Sequence, residues 1–151
     1  MIRTFMLLLT LAFAAYLGLA SSSIVINEVE LNPPGEGRIA ESAPWVELYN
    51  TEYEEVDISG WSLSTPGGIE TTIPSGTSVP AYGYYIVTQR MQWLMTSNET
   101  LVLKNSQGSE VDRTPPLSDT KDDEFTWSRD PDGRDTDSTM DWKFLVASSR
   151  F

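Results

Sequence analysis

The sequence predicts an all-β domain built of two facing sheets, and three observations predict it. From Ile24 onward, short runs rich in Val, Ile, Thr and aromatic residues alternate apolar and polar side chains with period two, as half-buried strands do. Clusters of Gly, Pro, Asn and Asp divide these runs at intervals of roughly 8 to 12 residues. Sustained helical periodicity is missing from the same region; only residues 89–97, with Met91, Trp93, Leu94 and Met95, read as a short helix or an apolar loop.

In chain order the candidate strands are residues 24–31, 45–50, 55–58, 61–64, 70–73, 84–89, 100–104, 110–113, 125–129 and 142–146. The turns between them have their own chemistry. Pro33-Pro34-Gly35 ends the first strand, Ser59-Gly60 makes a tight link, Pro66-Gly67-Gly68 joins two strands, and Ser106-Gln107-Gly108 opens a hairpin. Alternation assigns faces: Val46 and Leu48 point to the core while Trp45, Glu47 and Tyr49 share the opposite face, and Leu101 and Leu103 point together. Two sheets so patterned pack face to face, and the strand spacing is that of an immunoglobulin-like sandwich.

Ahead of the strands, residues 1–20 hold one charge, Arg3, followed by a long apolar run that ends in small residues. This is the layout of a secretory signal peptide, with Gly18 and Ala20 placed for cleavage before Ser21; a retained hydrophobic helix, an N-terminal membrane anchor, is the alternative. Either way, residues 21–151 form the sandwich domain and lie outside the cytosol, secreted or anchored at an extracytoplasmic membrane face, with membrane contact only through residues 1–20 if these are uncleaved. Asn98-Glu99-Thr100 fits the N-glycosylation pattern.

The net charge is −12, no two basic residues are adjacent, and the chain contains neither Cys nor His. An acidic domain without a basic patch repels phosphate backbones, so no nucleic-acid partner is expected. The missing side chains rule out disulfides, Cys/His zinc sites and every Ser-His or Cys-His catalytic arrangement.

Six motifs occur in a characteristic order: Ile26-Asn27-Glu28-Val29; Trp45-Val46-Glu47-Leu48-Tyr49-Asn50; Val56-Asp57-Ile58-Ser59-Gly60-Trp61; the Pro- and Gly-rich stretch from Ile73 to Tyr84; Leu101-Val102-Leu103-Lys104-Asn105 with Gly108 and Val111-Asp112; and Ser128-Arg129-Asp130-Pro131-Asp132-Gly133 before Asp141-Trp142. Together they resemble the lamin tail domain, over residues 24–146. The resemblance implies an immunoglobulin-like β-sandwich of about nine strands, used in exported prokaryotic members as a non-catalytic interaction module. It also implies structural roles for Asn27, Glu28, Glu47, Asn50, Gly60, Trp61, Gly133 and Trp142. After Trp142 the chain departs from the Thr-Pro-Gly segment usual in exported relatives.

Three groups of residues could carry chemistry. Glu28 and Glu47, on strands that could lie side by side, could form a glycosidase-like carboxylate pair; the alternative is that Asn27, Glu28 and Asn50 tie strand ends through backbone hydrogen bonds. Asp130, Asp132, Asp135, Asp137 and Asp141 concentrate carboxylates as a calcium loop does, although Gly133 falls in the wrong register for an EF-hand and Pro131-Asp132-Gly133 also makes a good turn. Calcium is therefore the sole cofactor candidate. Finally, Trp45 and Tyr49 on one strand face, or Trp93, could stack on a sugar or receive an apolar side chain. Trp61, Trp127 and Trp142 are expected in the core. The expected activity is non-enzymatic binding of a protein or a cell-surface glycan, with a carbohydrate-binding module or a calcium-stabilised surface domain as the alternatives.

Overall fold

The computed structural model describes residues 23–35, 43–67, 70–88, 98 and 100–148. The hydrophobic segment 1–20, the apolar stretch 89–97 and Trp93 lie outside the described residues. Within the described residues the fold is all-β, as the alternation requires.

A five-stranded antiparallel sheet runs in the order β11-β10-β1-β2-β7. It comprises β1 (Ile24–Glu30), β2 (Trp45–Asn50), β7 (Tyr84–Thr88), β10 (Phe125–Arg129) and β11 (Trp142–Val146). A four-stranded sheet, β5-β4-β8-β9, faces it, built from β4 (Ser62–Ser64), β5 (Glu70–Thr72), β8 (Val102–Lys104) and β9 (Glu110–Arg113). A short pair, β3 (Val56–Asp57) with β6 (Ser78–Val79), closes one end.

The inward residues form one core. Ile24, Ile26, Val29, Val46 and Leu48 from the larger sheet meet Leu63, Leu101 and Leu103 from the smaller one, all fully buried. Trp142 joins this core, whereas Trp61 and Trp127 pack against it half-buried at its margin. Trp127 lies there because its indole N–H reaches out to the Ser118 carbonyl at 3.0 Å, which keeps the polar edge satisfied.

One irregularity in β1 frees a polar side chain from the ladder. The β1–β2 register shifts between Ile26 and Glu28, so Asn27 is a bulged extra residue. On the other side of β1 the ladder to β10 reaches only the Glu28–Ser128 pair. The Ile26 N–H and C=O are instead satisfied by side chains: Asp112 Oδ2 accepts the amide at 2.6 Å, and Arg129 Nε donates to the carbonyl at 2.8 Å. Arg129 and Asp112 also pair with each other at 3.1 Å, both essentially without exposure, and so connect β10 to β9 of the facing sheet.

Candidate functional site

The outer face of the five-stranded sheet carries the polar motif residues. The register places Glu28 opposite Glu47, Glu30 opposite Trp45 and Val25 opposite Tyr49. Across β2, Glu47 meets Ile86 and Tyr49 meets Tyr84. The turn at 130–133, whose Asp130–Pro131 bond is cis, folds over this face.

Asn27 anchors the turn. From its bulge, the side-chain amide donates to Glu47 Oε1 at 2.9 Å and Asp132 Oδ1 at 3.1 Å, while its oxygen accepts the Gly133 N–H at 2.9 Å. Gly133 has φ +71°, and a Cβ there would stand 2.7 Å from a Tyr49 ring carbon, so only glycine fits. Tyr49 in turn stacks on Tyr84, with ring centroids 4.8 Å apart and planes tilted by 35°. The Tyr84 hydroxyl donates to Asp132 Oδ2 at 2.8 Å. Burial, followed by this hydrogen bond and the Asp132 charge, pushes the Tyr84 phenol well above its ordinary range.

These contacts leave a cleft of about 230 Å³ lined by Glu47, Tyr84, Ile86, Asp132 and Ser148. Two carboxylates, a phenol and a hydroxyl face it, with Ile86 and the Tyr84 ring as apolar walls. Such a lining attracts a cation that carries an apolar stem.

The predicted site residues fall around this cleft unevenly. Trp45, expected on an exposed platform with Tyr49, is only 6% exposed. Alternation gives its face correctly, but β2 is an interior strand flanked by β1 and β7, so its outward side chains are hemmed in by their neighbours. The exposed aromatic partner of Tyr49 is Tyr84, which is 47% exposed. Single-strand periodicity holds no signal for it, because it needs the β2–β7 pairing.

Glu28 and Glu47 are adjacent as the carboxylate-pair expectation required, yet both are buried. Glu28 accepts from Thr126 Oγ1 at 2.6 Å and from the Ser148 N–H and hydroxyl at 2.9 and 2.6 Å. It thus secures the chain that follows β11. Asn50 closes the other end of β2, donating to the carbonyls of Glu54, Val79 and Pro80 and accepting the Glu52 N–H. Gly60, with φ +72°, turns the chain before β4.

The acidic turn does not converge on a point, contrary to the calcium-loop expectation. Asp130 pairs with Lys143, Asp132 with Asn27 and Tyr84, and Asp135 with Arg129 at 3.1 Å. Asp137 is exposed in the left-handed region. Asp141, fully buried, accepts from Thr136 and from Arg134 Nε at 3.0 Å. Burial pushes its carboxyl up, but the Thr136 and Ser138 hydrogen bonds and the Arg134 charge outweigh that and hold it below the ordinary range. For Asp130, Asp135 and Asp141, arginines and a lysine supply the neutralisation that a cation would otherwise provide. Among the described residues no group of three or more acidic side chains is arranged to hold a metal ion.

A second acidic group escapes sequence reasoning. Burial, with Asp119 and Asp123 nearby, raises Glu30 to about 7 despite the Asn32 N–H it accepts. Its pattern position is that of an ordinary outward strand residue.

A comparison with curated proteins finds no match. The Lamin Tail Domain family matches residues 19–116, a span that includes β1 to β9 and ends before the 130–133 turn and the β10–β11 hairpin. With this match over most of the chain, the chain belongs to the lamin tail domain family.

Proposed function

We propose that this domain is an exported, non-catalytic interaction module that receives a basic side chain of a protein partner in the cleft between Glu47, Tyr84 and Asp132. The observation that carries the reading is the pairing of carboxylates with an aromatic wall in one open cleft, on a protein of net charge −12. A lysine or arginine entering there gains charge attraction and packs its stem on Tyr84 and Ile86. Catalysis is disfavoured because the chain has neither a thiol nor an imidazole, and because the Glu28–Glu47 carboxylate pair is buried with Glu28 held by Thr126 and Ser148. Export rests on residues 1–20, whose charge and apolar pattern fit a signal peptide or anchor.

The test is a titration of the protein with a lysine- and arginine-rich peptide and with an acidic control peptide. The basic peptide binds and the control does not, and Asp132→Asn combined with Tyr84→Phe weakens binding roughly fivefold to tenfold. Binding that is indifferent to both substitutions rules out the cleft. Protease added to intact cells that leaves the domain untouched rules out export.

A glycan ligand is the second reading. It draws on Tyr53, Tyr82 and Tyr84, exposed by 72%, 59% and 47%, where the Tyr82 N–H bonds the Glu52 carbonyl and brings the β2–β3 and β6–β7 connections together. A glycan array separates the two, because sugar stacking on tyrosines does not depend on the Asp132 charge.

A further inference from the structure

β11 ends the five-stranded sheet, and among the described residues its free side carries neither a bulge nor a proline, a single lysine being its one edge protection. The β10–β11 ladder is regular from Phe125–Val146 to Arg129–Trp142, without a bulge, and β11 contains no proline. Asp130 N–H bonds the Asp141 carbonyl and Ala147 N–H bonds the Glu124 carbonyl. By alternation, Lys143 and Leu145 turn their backbone groups toward β10, whereas Phe144 and Val146 turn theirs outward. Trp142 offers its carbonyl on the same side, its N–H being bonded to Thr139.

The side chains around this edge are apolar. Leu145 and Val146 are 43% and 57% exposed, Phe125 is 38% exposed, and Phe144 is half-buried between Phe125 and Trp127 at centroid distances of 5.5 and 5.1 Å. The one charge on β11, Lys143, is held by Asp130. In a protein of net charge −12, neither β10 nor β11 carries an acidic residue, whereas the β9 edge of the other sheet carries Glu110 and Asp112.

We propose that β11 pairs with β11 of a second copy of this chain, antiparallel about Phe144, so that two five-stranded sheets join into one. The outward backbone groups are centred on Phe144, so a two-fold axis there sets Phe144 against Phe144 of the other copy and Val146 N–H against the Trp142 carbonyl. Lys143 then faces Leu145 instead of a second Lys143, which avoids a like-charge pair. A second copy suits this edge better than a basic peptide, because β10 and β11 themselves offer such a peptide no carboxylate and the flanking Asp130 is already paired with Lys143.

The absence of cysteine makes engineered thiols clean probes in the full chain. Cα atoms of a directly opposed pair lie about 5.5 Å apart, within disulfide reach. Under mild oxidation, Phe144→Cys forms a disulfide-linked dimer roughly tenfold faster than Val146→Cys or Thr88→Cys. Val146 is the more exposed position but sits away from the axis, and Thr88 lies on the opposite edge. A mixture of Lys143→Cys and Leu145→Cys chains cross-links where neither does alone, and this arm leaves Phe144 intact. Equal yields at positions 144, 146 and 88 indicate random collision or association through residues 1–20, and overturn the proposal. So does a mixture of the 143 and 145 variants that remains monomeric.

Discussion

Arg129 spends its whole guanidinium inside the protein. Nε serves the Ile26 carbonyl, Nη1 serves the Arg134 carbonyl and Asp135, Nη2 serves Asp112, and the group lies 4.8 Å from the Trp142 ring centroid. Removing Asp112 leaves the buried guanidinium with Asp135 and Asp141 on its Nη1 side only, and strips the Ile26 amide of its acceptor. Asp112→Ala is therefore expected to cost about 2–4 kcal/mol, read as a lowered urea midpoint; a midpoint that hardly moves would show that Asp135 and Asp141 suffice to hold Arg129 and that water reaches the Ile26 amide. Gly133→Ala combines a left-handed backbone with a Cβ in van der Waals conflict with Tyr49. It is expected to lift the turn off Tyr49, at a cost of about 1–3 kcal/mol, with Tyr84 losing its elevated phenol titration. Glu30 has the opposite effect on pH dependence from a salt-bridged acid. Its pKa is about 7 in the folded protein against 4.5 ordinarily, so between those values the native state holds a proton that the unfolded chain has released. Its contribution makes stability fall as pH rises from 4.5 to about 7 and level off above. Glu30→Gln should remove this slope, worth about 1–2 kcal/mol after screening is allowed for. Melting temperatures of the two proteins across that range decide it.

At the scale of elements, Leu63 on β4 tests the core, since it is fully buried between Thr71 of β5 and Leu103 of β8. Leu63→Ala should cost about 2–5 kcal/mol by calorimetry or urea titration. Trp61, two residues earlier but only half-buried, should cost less than a fully buried tryptophan. These strands are legible in the sequence because alternation is local: Val46 with Leu48 and Leu101 with Leu103 declare a buried face within one element. Strand neighbours are not local. The Asn27 to Gly133 bond that places the turn joins residues 106 apart, and neither end differs in composition from an ordinary bulge or turn. The same limit explains Trp45, whose face follows from alternation and whose exposure does not, because cover depends on which strands flank β2. The acidic turn is visible as a charge cluster, but its neutralisers, Arg129 and Lys143, sit on strands whose orientation toward the turn emerges only from the fold.

At the scale of the whole molecule, a net charge of −12 acts beyond any single contact. Attraction of a basic partner to the cleft reaches about 30 Å at 0.01 M salt but only about 8 Å at 0.15 M. The association rate with the basic peptide should therefore fall steeply across that range, while the dissociation rate, set by contacts within the cleft, changes little. Stopped-flow traces separate the two rates, and a salt-insensitive association rate would place binding at an apolar surface instead. The joint made by Arg129 and Asp112 has another whole-molecule result. The Ile26 amide hydrogen is held by a carboxylate from the opposite sheet, so its exchange with solvent deuterium requires the layers to part, not merely a strand to fray. In a spectrum recorded after transfer to heavy water, that amide should be among the last to disappear, at a rate set by opening of the entire domain. It thereby serves as a built-in clock of global unfolding, and Asp112→Asn, which retains an acceptor oxygen, should set that clock running faster without changing the fold.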